Sequence, residues 1–186
     1  MIYLWQQTDN GGMVVKKKKI VNMMLILSCT FYLIFATWNI LFKYVSPLAL
    51  FSDGRYFSRS LNLIPFHDLF EGHYNRLDLW GNILLFIPLG VYLNLLKERK
   101  WYQQTLIGMS ISALFEILQY VFAIGASDIT DVIYNSLGCV LGIGVYHFLK
   151  RIFKQHSSVK IFIAVLSCTV AIMVGIIVLL LFLFNK

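Results

Sequence analysis

Long apolar stretches separated by short polar ones dominate the chain: residues 20–42, 79–96, 101–124, 129–149 and 161–184. A helix needs roughly 20 apolar residues to cross a hydrocarbon core about 30 Å thick, so each stretch predicts a membrane span. The first and last carry no Asp, Glu, Lys, Arg or His, the third contains Glu116 and the fourth contains Asp131. The expected fold is therefore all-α, a polytopic transmembrane helical bundle with five spans. Lys97-Glu98-Arg99-Lys100 joins the second span to the third, and Gly125-Ala126-Ser127-Asp128 joins the third to the fourth. Connections this short make the three middle spans antiparallel neighbours.

Composition supports the same class, with 59% apolar residues, 13% charged and a mean hydropathy of +0.72 over 186 residues. The formal charge of +7 falls in short runs beside the apolar stretches. Anionic lipid headgroups, rather than nucleic acid, are the expected partners of such runs. With the N-terminus cytoplasmic, the inner segments hold eleven Lys and Arg and the outer ones five, as the positive-inside rule requires. The C-terminus is then external. Four lysines precede the first span, but its apolar run exceeds the roughly 7–15 residues of a secretory signal and lacks a clear cleavage site, so it reads as an uncleaved anchor.

The expected organisation is a cytoplasmic segment 1–19, a membrane domain 20–150, and a cytoplasmic linker with an extra span over 151–186. Within the membrane domain, the external segment 43–78 is aromatic-rich, broken by Pro47 and Pro65, and expected at the outer interface. Cys29, Cys139 and Cys168 lie apart in apolar stretches and read as packing residues. His67 and His73 with Asp68 and Glu71 make only a weak metal signal, so neither a metal site nor a cofactor is assigned.

The candidate chemistry lies inside the spans. Glu116, Gln119 and Tyr120 stand at i, i+3 and i+4, on one helix face; Asp131, Asn135, Gly138 and Gly142 form a second stripe. At 1.5 Å per residue, Glu116 lies roughly 12–14 Å, Gln119 about 8–9 Å and Asn135 about 9–10 Å from the outer ends of their spans, with Asn82 and Asp131 shallower. Their depths overlap in the outer half of the bilayer. An ionisable group at a helix centre costs about 2.5–3.5 kcal/mol on insertion scales, so Glu116 is expected to face the bundle. Plainer roles stand beside these. Gly138 and Gly142, with Pro88 and Gly90 in the second span, read as helix packing. Asn82 and Asn135 serve either a site or interhelical hydrogen bonding; Asp131 suits the first turn of its helix and Asp128 its N-cap.

The same residues carry a family resemblance. Arg59-Ser60-Leu61-Asn62-Leu63-Ile64-Pro65-Phe66, Gly81-Asn82-Ile83-Leu84-Leu85-Phe86-Ile87-Pro88-Leu89-Gly90, Glu116-Ile117-Leu118-Gln119 and Asp128-Ile129-Thr130-Asp131-Val132-Ile133-Tyr134-Asn135-Ser136-Leu137-Gly138 resemble the successive motifs of the VanZ-like family over about residues 20–150. The resemblance implies a bacterial cytoplasmic-membrane protein related to one associated with low-level resistance to teicoplanin, a lipoglycopeptide that binds cell-wall precursors. It implies no known reaction. Many relatives carry a basic residue shortly before the acidic turn, whereas Gly125-Ala126-Ser127 has none. The resulting expectation is an outer-leaflet polar cleft of Arg59, Asn62, Asn82, Glu116, Gln119, Asp128, Asp131 and Asn135. It would bind a lipid or lipid-linked envelope precursor, with Arg59 or Arg76 meeting phosphate. The alternative is an intramembrane enzyme using Glu116 and Asp131 as acid and base or as ligands of a divalent cation, although no nucleophile motif or phosphate-cradling loop accompanies them.

Overall fold

A computed structural model describes residues 2–43, 59–72 and 75–184, with the backbone alone over 2–14. The helices are α1 (Ile2–Leu41), α2 (His67–Phe70), α3 (Arg76–Leu96), α4 (Trp101–Phe122), α5 (Ile129–Phe153) and α6 (His156–Phe184). Two short strands, β1 (Ser60–Asn62) and β2 (Ala126–Asp128), complete the described elements. Five helices are long and apolar enough to cross a membrane: Val15–Leu41 within α1, then α3, α4, α5 and α6. Each predicted span lies on one of them. The boundaries differ where charges sit near helix ends: α3 begins at Arg76 and takes in Asp78, while α5 runs past Lys150 and Arg151 to Phe153.

Contacts group the chain into two units, Met1–Leu33 with Ile152–Lys186 and, separately, Ile34–Arg151. In the first unit, the Ser28 and Ser167 hydroxyls meet at 2.9 Å, and the Cys168 thiol donates to the Met24 carbonyl at 3.4 Å. Hydroxyl and thiol pairs of this kind satisfy polar groups that lipid cannot solvate.

The second unit contains the end of α1, α3, α4, α5 and both strands. Its centre is a backbone-close crossing of α3 and α5. A methyl group added at Gly138 would overlap the Ile83 carbonyl, one at Gly142 the Ile87 carbonyl, and one at Gly90 the Cys139 carbonyl. Only glycine lets the two backbones approach this far. Pro88, half-buried in α3, removes the N–H that would bond the Leu84 carbonyl. Cys139 fills the space over Gly108 of α4 and is fully buried, in keeping with a packing role.

Segment 43–78 departs from its expected character of an external interfacial connector alone. Its described part enters the fold: β1 pairs in parallel with β2, in the register Ser60↔Ala126, Leu61↔Ser127 and Asn62↔Asp128. Residues 44–58 and 73–74, including Pro47 and His73, lie outside the described residues. The turn after Pro65 places Phe66 in the left-handed region at φ 60°, and its N–H donates to the Thr130 hydroxyl at 3.0 Å. That bond ties the β1–α2 turn to the start of α5.

Candidate functional site

The unit has two polar ends. The strand end gathers the end of α1, the starts of α3 and α5, the end of α4 and both strands; the basic-loop end gathers the end of α3, the start of α4 and the end of α5. Most of the predicted cleft residues lie at the strand end, but they are distributed among different tasks there.

Asp128 caps α5, its Oδ1 accepting from the Thr130 N–H at 2.7 Å, while its Oδ2 accepts from the Asn62 amide at 3.1 Å. This is the N-cap expected of Asp128. The backbone N–H of Asp128 donates in turn to Glu116 Oε2 at 2.8 Å, and the Ser127 side chain lies near enough to act on that carboxylate. Glu116, 6% exposed, thus faces the bundle and holds β2 rather than opening onto a cleft. Gln119 is spent on the end of α1, donating to the Ile40 carbonyl at 3.0 Å. A helix C-terminus leaves its last carbonyls without intrahelical partners, and a buried amide meets that need. Asn135 lies deeper, its amide donating to the Ser112 hydroxyl of α4 at 2.8 Å, as an interhelical bond would. Arg59 stacks over the Tyr120 ring, 5.8 Å from its centroid.

Asp131 belongs to the open part of the site. A pocket of about 90 Å³ lies against the starts of α3 and α5, with Asp78, Asp128, Thr130 and Asp131 in its wall and Lys43 and Asp68 beside them. Phe66 and Tyr134, 5.9 Å apart between ring centroids, form an aromatic side of the same pocket. Lys43 is bound to Asp78 at 3.0 Å and to Asp131 at 3.7 Å. Its side chain is 20% exposed, as is that of Asp131. Asn82, 7% exposed, acts on the Asp131 carboxylate, yet its amide nitrogen makes no hydrogen bond of good geometry among the described residues. The predicted residues therefore fall into an inner set that builds the end of the bundle (Asn62, Glu116, Gln119, Asn135) and an open set around Asp131, with Asp128 joining the two.

Sequence reading missed Lys43 as a site residue, because it counted only toward topology. The available signal was position: Lys43 follows the first span by one residue, on the end that holds Asp78 and Asp131. Also missed were Gln104, whose amide donates to the Leu93 and Lys97 carbonyls at 3.3 and 2.8 Å, and Asn94, bonded to the Gly90 carbonyl at 3.0 Å. No group of three or more His, Cys, Asp and Glu suited to a metal ion occurs among the described residues.

Five apolar helices of spanning length, a glycine-mediated helix crossing and a lysine-bridged acidic pocket define a multi-pass membrane protein with a polar site at one end. The chain belongs to the VanZ/LLP1 family, whose model matches residues 29–151. Protein VanZ of Enterococcus faecium is 36% identical over 135 residues, which cover 72% of this chain and 80% of that protein. The resemblance read from the four motifs is thereby established. No solved structure matches the chain.

Proposed function

We propose that the strand end faces the outside of a bacterial cytoplasmic membrane, where its pocket binds the headgroup of a lipid or lipid-linked envelope precursor. By doing so the protein contributes to resistance against a lipoglycopeptide such as teicoplanin. The observation that carries this reading is the pocket between α3 and α5, where one lysine serves two carboxylates. Family membership supports the link to the envelope. At about 90 Å³ the pocket holds a few heavy atoms, well below the 300–1,000 Å³ of a drug-sized site. It thus fits the tip of a headgroup. Its wall is rich in acceptors, which suits hydroxyl or ammonium donors; a phosphate is better placed at the rim, near the exposed Arg76 beside Asn75. Binding is favoured over intramembrane catalysis because Glu116, one of the two carboxylates an enzyme would use, is buried and already bonded to the Asp128 N–H.

In this reading the N-terminus is cytoplasmic and the C-terminus external, and residues 20–150 carry the function. Two experiments test it. Single cysteines in a cysteine-free background should react with an impermeant reagent at position 125 and not at position 157; the reverse pattern overturns the orientation. Lipids retained by the purified protein in native nanodiscs should include a headgroup class that Asp131→Asn loses. Chemical turnover of that lipid would instead favour the enzyme.

A further inference from the structure

A second site stands at the opposite end of the 34–151 unit, independent of the pocket just described. A shallow, open groove lies against the connection from α3 to α4, with Lys97, Glu98, Arg99 and Lys100 at its polar lip and Leu106 and Ile107 along its apolar side. We propose that this groove docks an anionic phospholipid, its phosphate held by Lys97, Arg99 and Lys100 and an acyl chain lying along Leu106 and Ile107.

Charge makes the first argument. All three cations are exposed, and among the described residues none of them makes an ion pair. The one acid in the lip is turned away from this role: Glu98 Oε1 accepts from the Tyr146 hydroxyl at 2.8 Å, and Lys150 donates to both carboxylate oxygens at 2.8 and 2.6 Å. Tyr146 is fully buried, so it anchors Glu98 on the α5 side. The lip is left with three uncompensated positive charges around one neutralised carboxylate. Phosphate is the membrane group that complements such a lip.

Depth makes the second. Leu106 stands six residues beyond Lys100 on α4, about 9 Å along the axis, which is past the headgroup layer and into the acyl region. Trp101 and Tyr102, both exposed, occupy the first turn of α4, where amphipathic rings mark the interface. Lys100 lies 5.9 Å from the Tyr102 ring centroid, which keeps the ammonium beside the groove. A soluble anion would use the lip alone; the continuous apolar side selects a lipid.

The test uses the full chain in nanodiscs of phosphatidylcholine with a minority of phosphatidylglycerol, read by native mass spectrometry of the lipids retained. Wild type should retain phosphatidylglycerol in preference to phosphatidylcholine. Replacing Lys97, Arg99 and Lys100 by Gln should weaken that preference by about fivefold for each cation removed. Lys150→Gln should also weaken it, by uncovering the Glu98 charge, and Glu98→Gln added to Lys150→Gln should restore it. That rescue ties the preference to the charge balance at the lip, and it keeps the test meaningful if the triple variant folds poorly. An unchanged preference in a folded triple variant, or no rescue in the double variant, overturns the proposal. Displacement of the bound lipid by millimolar glycerol phosphate would show a soluble-anion site and overturn it equally.

Discussion

At the basic-loop end, Glu98 receives the Tyr146 hydroxyl and both contacts from Lys150, whereas at the strand end Lys43 divides itself between Asp78 and Asp131 at 3.0 and 3.7 Å. One end has more donors than its acid needs; the other has more acids than its cation can serve. The basic-loop end is finished further by Gln104, which occupies the last carbonyls of α3. The strand end keeps the Asn82 amide nitrogen without a hydrogen-bond partner among the described residues, beside the carboxylate that faces the pocket, and Asn94 Oδ1 near the end of α3 is likewise without one. The lesson is that the balance of charge, rather than the mere presence of acids, separates the two ends: one lysine shared by two carboxylates at the pocket, and one carboxylate fully engaged at the basic loop.

The comparison breaks most completely if the shared helix crossing fails. Gly142→Leu drives a side chain into the Ile87 carbonyl, a backbone atom that cannot swing aside. It should cost at least about 3 kcal/mol and abolish folded protein in a thermal scan in micelles, taking both ends with it. Gly144→Ala, with open space around it, should change stability by no more than about 1 kcal/mol in the stabilising direction.

Next in size is a functional asymmetry. Asp131→Asn and Lys43→Gln should each remove protection against teicoplanin in an expressing host while the protein remains in the membrane, and Glu98→Gln should leave protection intact. Susceptibility measured at matched expression decides this. Equal loss from all three substitutions would erase the distinction between the ends.

Smaller still are two changes in stability. Glu116→Ala leaves the Asp128 N–H without its acceptor and should cost about 1–3 kcal/mol, whereas Glu116→Gln keeps an acceptor oxygen and should cost less. Tyr146→Phe removes one of several contacts to Glu98 and should cost about 0.5–1.5 kcal/mol, because Lys150 remains. Unfolding of the purified variants by denaturant measures both. A larger loss from Tyr146→Phe than from Glu116→Ala would mean that the basic-loop end, not the strand end, is the more weakly supported.

The spans were legible because apolar length is a property of the local sequence. Their edges were less so: Arg76, Asp78, Lys150 and Arg151 lower the hydropathy of a window while their side chains reach the interface from within a helix. The inward-facing position of Glu116 followed from insertion cost, but its partner did not. Three residues per strand carry no readable alternation, and β1 and β2 stand 66 residues apart between Asn62 and Asp128, so nothing local announced their pairing. Arg59 was the natural choice for a phosphate partner and lies over the Tyr120 ring; Lys43, counted as a topological charge, is the cation that meets Asp78 and Asp131. Which of several cations near the helix ends meets an acid depends on where those ends converge, and that is tertiary information.

The parallel pairing of β1 with β2 also sets a clock. During synthesis at about 5–20 residues per second, the 66 residues from Asn62 to Asp128 take roughly 3–13 s to emerge, and through that interval the edge of β1 has no strand beside it. Its N–H and C=O groups must stay in water until then, since hydrocarbon offers them nothing. A nascent chain halted after α4 would therefore present an unpaired edge and an Asn62 amide without Asp128, while one halted after the first turn of α5 would have both satisfied. Arrest at successive lengths, followed by protease exposure of the β1 segment, should show protection appearing abruptly once residue 128 is available, which makes the strand pair a checkpoint for the completeness of the membrane domain.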